Sequence, residues 1–176
     1  MPNIEAVDSL PVLPTNNAPA FDPRTWRLRV DGLVRKKRDF NLHEILSLPS
    51  VRFRDDFTCL EGWMVADLIW RGVRVSELLR LVSAKAEARC ALFSSPGYVQ
   101  GLTIERCMEP TTILAYELSG ASLPFEHGAP LRLISKGQEC FESVKWVDKM
   151  HLTKDYRQGS ARHIALKRIA QVQSEN

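Results

Sequence analysis

The chain contains no run of about 18 apolar residues, so nothing in it is long enough to cross a bilayer as a helix. Its opening, MPNIEAVDSLPVLPTNNAPAF, has neither a basic segment nor a continuous apolar one. That argues against a secretory signal and for a cytoplasmic protein. Cysteine is scarce: Cys59, Cys90, Cys107 and Cys140 lie far apart, with no C-x-x-C pair. Zinc-finger and c-type haem frameworks are thereby excluded, and in a cytoplasmic chain disulfides are not expected. Walker loops, G-x-G-x-x-G, G-x-S-x-G and H-E-x-x-H are all missing. A surplus of one charge is missing too, since 24 Lys and Arg stand against 21 Asp and Glu, a net +3. This falls short of the concentrated charge of a nucleic-acid binder but suits an anionic small ligand.

What is present describes one ordinary globular domain. The chain has 176 residues, 44% hydrophobic and 26% charged, enough to bury a single substantial core. Five prolines from Pro2 to Pro23 mark residues 1–22 as an extended arm. WRLRVDGLV alternates Trp26, Leu28 and Val30 against Arg27 and Arg29, the pattern of a half-buried strand, and Asp31-Gly32 supplies a hairpin turn. In NLHEILSLPS, Asn41 caps a short helix with Glu44 three residues on, Leu42, Ile45 and Leu46 face inward, and Pro49 closes it. SELLRLVSAKAEA predicts a second helix, capped by Ser76, with Leu78, Leu79 and Val82 on one face. RCALFSS, TTILAYELSG, PLRLISKG and VKWVDKMHL read as strands between Gly and Pro punctuation. Strands with a few short helices, and no regular β-α alternation, make a mixed, strand-rich α+β domain over 23–155. Residues 156–176 form a basic tail in which Ile164, Ala165, Ile169 and Val172 sit near helical spacing; as a terminus it is expected to fray.

Chemistry has few places to reside. Cys59, in FTCLEGW, is near Asp55, Asp56 and Glu61 but has no histidine close in sequence. A cysteine nucleophile would need His43, His127, His151 or His163 brought to it by the fold. Otherwise Cys59 is a small buried hydrophobe, or a thiolate for a soft metal whose other ligands come from a cofactor. In PFEHGAPLRL, Gly128 and Pro130 bracket a turn, so His127 and Arg132 could converge on one anion; the bland alternative is a loop histidine and a solvated arginine. SVKW places Ser143, Lys145 and Trp146 on one strand, equally well a solvated lysine beside a core tryptophan. SSPGY reads as a turn with exposed hydroxyls. Trp63, Trp70, Tyr98 and Tyr116 are core aromatics or pocket walls, and Arg71 and Arg74 are solvated or attract an oxyanion.

Taken in order, FTCLEGW, WRGVRVSELL, SSPGY, ILAYELSGASLPFEHGAPLRL and SVKWVDKMHL resemble the molybdopterin-binding domain of the sulfite oxidase family, from about Trp26 to Leu152. The resemblance implies that Cys59 is the protein's thiolate ligand to molybdenum and the catalytic residue. It implies that His127, Arg132, Ser143 and Lys145 hold the pterin and its phosphate, with Val144 adding a backbone contact and Ser95 a further one. The cofactor it implies is molybdopterin without an attached nucleotide. The activity it implies is oxygen-atom transfer to or from a small-molecule substrate such as sulfite or a sulfoxide, with a separate electron-transfer protein as partner. Sulfite oxidases proper carry an arginine soon after the ligand cysteine; here Leu60, Glu61, Gly62 and Trp63 follow, resembling the bacterial sulfoxide-reducing branch, which however usually has asparagine where this chain has His127. Pro96 replaces an aspartate of the family, and GQECFES replaces its Gly-rich turn. Two other readings remain: a module that carries molybdopterin without turnover, and an interaction domain that has lost the cofactor.

Overall fold

A computed structural model describes residues 10–12, 18–59 and 62–156, and in the tail Ser160, His163, Leu166, Lys167 and Ala170. Alternation of arginines with Leu28 and Val30 makes β1 (Arg27–Gly32) a strand with its apolar residues fully buried. It pairs antiparallel with β2 (Arg38–Asn41), Leu28 opposite Phe40, which is the expected hairpin with a longer connection than Asp31-Gly32 alone. Asn41 then caps α1 (Leu42–Ser47): its side chain accepts from the Glu44 amide at 2.9 Å, and the Glu44 carboxylate accepts from the Asn41 amide at 2.8 Å. Of its apolar residues only Ile45 is buried, and Leu46 is 47% exposed. Ile45 faces the core, and Leu46, about 100° further round the helix, faces solvent.

The long antiparallel hairpin of β3 (Ser50–Thr58) and β4 (Met64–Arg74) escaped the sequence reading, because charged residues such as Arg52, Arg54, Asp55 and Asp56 obscure its apolar alternation. α2 (Val75–Leu81) follows β4 directly. Leu78, Leu79 and Val82 are buried as expected, but Arg74 precedes the helix without a side-chain cap and Ser76 lies inside it. β5 (Cys90–Ser95) and β6 (Tyr98–Thr103) form a hairpin about Pro96-Gly97, and α3 (Ile104–Met108) follows, capped by Thr103. β7 (Ile113–Leu118) pairs with β4, with the two-residue β8 (Ala121–Ser122) and with β9 (Arg132–Ile134). β10 (Lys149–Thr153) ends the described strands. Expected to begin near Val144, it starts five residues later: Ser143–Asp148 is a loop in which Trp146 has φ 55°. The tail residues Ile164, Ala165, Ile169 and Val172 lie outside the described ones.

Two sheets result, one in the order β2-β1-β10-β5-β6 and one in the order β3-β4-β7-β8, with β9 beside β7. The pairing of β1 with β10 is parallel, joining the two ends of the domain. Period-2 alternation lets the second sheet serve two cores. Val73, Leu114 and Leu133 face the larger core, with Leu28, Val30, Phe40, Phe93 and Met150 of the first sheet and Ile45, Leu78 and Leu79 of the helices. Leu68, Trp70, Ile113, Ala115 and Ile134 face a smaller core that also takes in Phe57, Val65 and Leu10. The candidate site lies at the edge of this smaller core. The strand-rich α+β class read from the sequence is the class observed.

Candidate functional site

Arg132 opens β9, one residue before Leu133 enters the larger core, so its side chain falls on the smaller-core face. It is 4% exposed. Its Nε donates to the Ser143 hydroxyl at 2.7 Å and its Nη1 to the His127 carbonyl at 3.0 Å, and the guanidinium stacks 4.8 Å from the Phe57 ring centroid and 5.6 Å from that of Trp70. Among the described residues no carboxylate pairs with it. Burial pulls its pKa down to about 10, which leaves it charged at neutral pH. A buried cation without a counter-charge is costly, and such a site is stabilised by an anion.

Three more polar groups surround it. His127 ends the 3-10 turn Phe125–His127 and is 5% exposed; its Nδ1 is buried without a hydrogen-bond partner. Burial first, then the charges of Arg132 and Lys145, lower its pKa, so the imidazole stays neutral at pH 7. Lys145 donates from Nζ to the Glu126 carbonyl at 2.6 Å, and burial, reinforced by Arg132, pushes its pKa down to about 8. The two loops carrying these residues are laced together: the Trp146 amide donates to the Gly128 carbonyl at 3.1 Å and its indole N–H to the Phe125 carbonyl at 2.8 Å. Gly128, with φ 114°, permits the approach, since a Cβ there would stand 3.0 Å from the Lys145 Cα. Gly-Ala-Pro thus turns the chain so that His127, Arg132, Ser143 and Lys145 form one cradle.

Cys59 follows β3 in a tight turn, its carbonyl accepting from the Gly62 amide at 2.9 Å and its amide donating to the Trp63 carbonyl at 3.0 Å. Phe57, two residues earlier, lies beneath the Arg132 guanidinium, which ties the cysteine to the cradle. Cys140, at the start of the 3-10 turn Cys140–Glu142, donates its thiol to the Cys59 sulfur at 2.7 Å. Sequence reasoning had no signal for this neighbour, which is 81 residues away along the chain. The other two cysteines are fully buried, and burial pushes the Cys107 thiol up to about 12, the behaviour of an inert core residue.

Ser95 is buried where β5 turns into β6, and Tyr98 opposite it donates to the Phe141 carbonyl at 2.7 Å, placing this turn against that of Cys140. Val144 buries its side chain in the larger core; its amide donates to the Glu142 carbonyl at 3.1 Å and its carbonyl accepts from Leu133 at 2.9 Å. Arg71 does not reach the cradle, being paired with Glu117 at 3.0 Å. Trp70 packs in the smaller core beneath Arg132, and Tyr116 against the larger one. Among the described residues no three His, Cys, Asp or Glu side chains gather as metal ligands.

A buried cationic cradle beside a half-buried thiol, at the edge of a two-sheet fold, is the equipment of a domain that binds an anionic cofactor. The chain belongs to the oxidoreductase molybdopterin binding domain family, which it matches over residues 15–161. It is 31% identical over 160 residues to the uncharacterized oxidoreductase YuiH of Bacillus subtilis (strain 168), covering 90% of this chain and 81% of that one. To MsrP, the protein-methionine-sulfoxide reductase catalytic subunit of Gluconobacter oxydans (strain 621H), it is 29% identical over 158 residues, covering 79% of this chain and 50% of that one. The sulfane dehydrogenase SoxCD from Paracoccus pantotrophus shares the fold, with a TM-score of 0.72 at 24% identity over 78% of this chain and 40% of that one. Among the described residues no helix is long and apolar enough to cross a membrane.

Proposed function

We propose that this chain is a molybdenum-cofactor-dependent enzyme that transfers an oxygen atom to or from a small substrate such as sulfite or a sulfoxide. The observation that carries the reading is Arg132, buried and charged with no carboxylate beside it among the described residues, together with the orphaned Nδ1 of His127. These donors fit a phosphate-bearing pterin. When bound, the cofactor supplies the two-electron redox change.

The chain's own residues bind and orient. Cys59 supplies the soft thiolate ligand to molybdenum, and coordination keeps its sulfur deprotonated. Arg132 spends Nε and Nη1 on Ser143 and the His127 carbonyl, which fixes its plane and leaves Nη2 for a phosphate oxygen. Lys145 adds a second positive charge and His127 a neutral hydrogen-bonding nitrogen. Ser95 and Val144 border the same region, although a contact from the Val144 amide requires its bond to Glu142 to open. The family resemblance supports a pterin monophosphate without a nucleotide. The likeness to MsrP supports a sulfoxide as substrate, with a separate electron-transfer protein as partner by family resemblance. A cytoplasmic location belongs to this proposal as well.

The test is molybdenum and released pterin per chain, in protein made in a cofactor-competent host, followed by turnover of methionine sulfoxide with a reduced dye and of sulfite with an oxidised one. Metal and pterin equimolar with the chain are expected, with turnover of one of the substrates. Cys59→Ser should abolish turnover while most pterin remains. A well-folded chain without cofactor, or a fully active serine variant, would sink the assignment.

A further inference from the structure

The place of Cys140 is set by backbone rather than by chance contact. Thr58 and Glu139 form a parallel bridge, so the residues that follow them, Cys59 and Cys140, stand side by side across two neighbouring segments. The Asp55 carboxylate accepts from the Gly137 amide at 2.9 Å and anchors the same two segments a few residues away. Adjacent strands lie about 4.8 Å apart, inside the range of Cα separations that a disulfide spans. The sulfurs stand 2.7 Å apart, so closing them to a bond of about 2.05 Å takes a side-chain adjustment and no backbone movement. Both cysteines are half-buried, whereas Cys90 and Cys107 are sealed in the core.

We propose that Cys59 and Cys140 form a reversible modification site, a thiol pair that a low-molecular-weight disulfide closes into an intrachain bond. The reaction consumes one molecule of oxidised glutathione: a Cys59 or Cys140 thiolate attacks it and releases one reduced glutathione, and the second cysteine displaces the other. Two protein thiols lose two electrons and two protons, and the glutathione disulfide gains them. Closure occupies the Cys59 sulfur, so the cofactor-free chain accepts molybdenum only when the pair is reduced; this consequence rests on the function proposed above.

The cofactor-free full chain is incubated across a series of oxidised to reduced glutathione ratios, its free thiols are counted, and unreduced peptides are mapped by mass spectrometry. Loss of two of the four thiols is expected, with one peptide joining Cys59 to Cys140, reversed by reduced glutathione. In Cys140→Ser the linked peptide should vanish and Cys59 should retain a glutathione adduct. Separate adducts on Cys59 and Cys140 in the unaltered chain, with no linked peptide, would overturn the pair. A molybdenum content that is equal in oxidised and reduced chains would overturn the consequence for loading. Absence of molybdenum from both would remove the functional reading and leave the disulfide result standing.

Discussion

Arg132 shows what one residue costs when its partner is a ligand. A guanidinium in a small core, held by a hydroxyl and a carbonyl and stacked on two rings, has its hydrogen bonds but, among the described residues, no compensating charge. Replacing a buried ion by an apolar side chain of similar volume is often neutral or stabilising. Arg132→Met should therefore leave the melting temperature of the cofactor-free chain unchanged or raised, while pterin retained through purification falls by about tenfold or more. A melting temperature that fell sharply would make Arg132 a structural residue instead. Lys145 adds a pH dependence. Its pKa is pushed down on folding to about 8. Between about 8 and its unfolded value near 10.4 the unfolded chain holds more protons, so this group's contribution to cofactor-free stability rises with pH across that window. A bound phosphate raises the lysine's pKa, so binding takes up a proton and affinity declines as pH rises above about 8. Titration calorimetry with inorganic phosphate should show that decline in the native chain and a flatter profile in Lys145→Met.

At the scale of elements, the β4–β7 pairing decides whether the cradle has a floor. β4 carries Trp70 to the underside of Arg132, and its register with β7 shifts between Arg71 and Gly72. Gly72 is packed against the β7 backbone, where an added Cβ would collide with the Leu114 carbonyl and stand 2.7 Å from the Ala115 Cα. Gly72→Ala should destabilise the chain by roughly 1–3 kcal/mol in urea unfolding, the range for overpacking a core. The same change at Gly137, where a Cβ meets nothing within 4 Å, brings only the strain of its φ of 71°. A Gly72→Ala variant as stable as the parent would mean that the two strands part without cost. The 3-10 turn Phe125–His127 and the loop Ser143–Asp148 are held to each other by the two bonds of Trp146, so the cradle is rigid although neither half is a long element.

For the whole molecule, the parallel pairing of β1 and β10 closes the first sheet, and the second sheet carries a core on each face. The site lies on the smaller core, which is the side with an unmet charge. Cofactor binding should stabilise the folded chain by mass action, about 2.7 kcal/mol at a hundredfold excess over the dissociation constant, or roughly 5–10 °C in a chain of this size. Differential scanning fluorimetry of loaded and cofactor-free protein checks this, and most of the difference should be lost in Arg132→Met. Equal melting temperatures would place the cofactor outside the cradle.

Residues close along the chain were legible without coordinates. Leu28 and Val30 alternate with arginines, Asn41 and Glu44 make a capping box, and Gly128-Ala129-Pro130 marks the turn between His127 and Arg132. Such signals are local, because strand alternation, capping and turn chemistry act over a few residues. Tertiary structure decided everything that depends on which distant surfaces meet: the charged β3 hairpin, the loop in place of a strand at SVKW, the Phe57 and Trp70 rings under Arg132, and Cys140 beside Cys59. The sequence by itself determined the strand-rich class; the cradle residues it offered only through the family resemblance, their spacing alone fitting a loop histidine and a solvated arginine as well. Only the fold could decide that the arginine is buried without a counter-charge among the described residues and that the cysteine has a partner, since burial and pairing are properties of packed segments and leave no mark on the residues nearby in sequence.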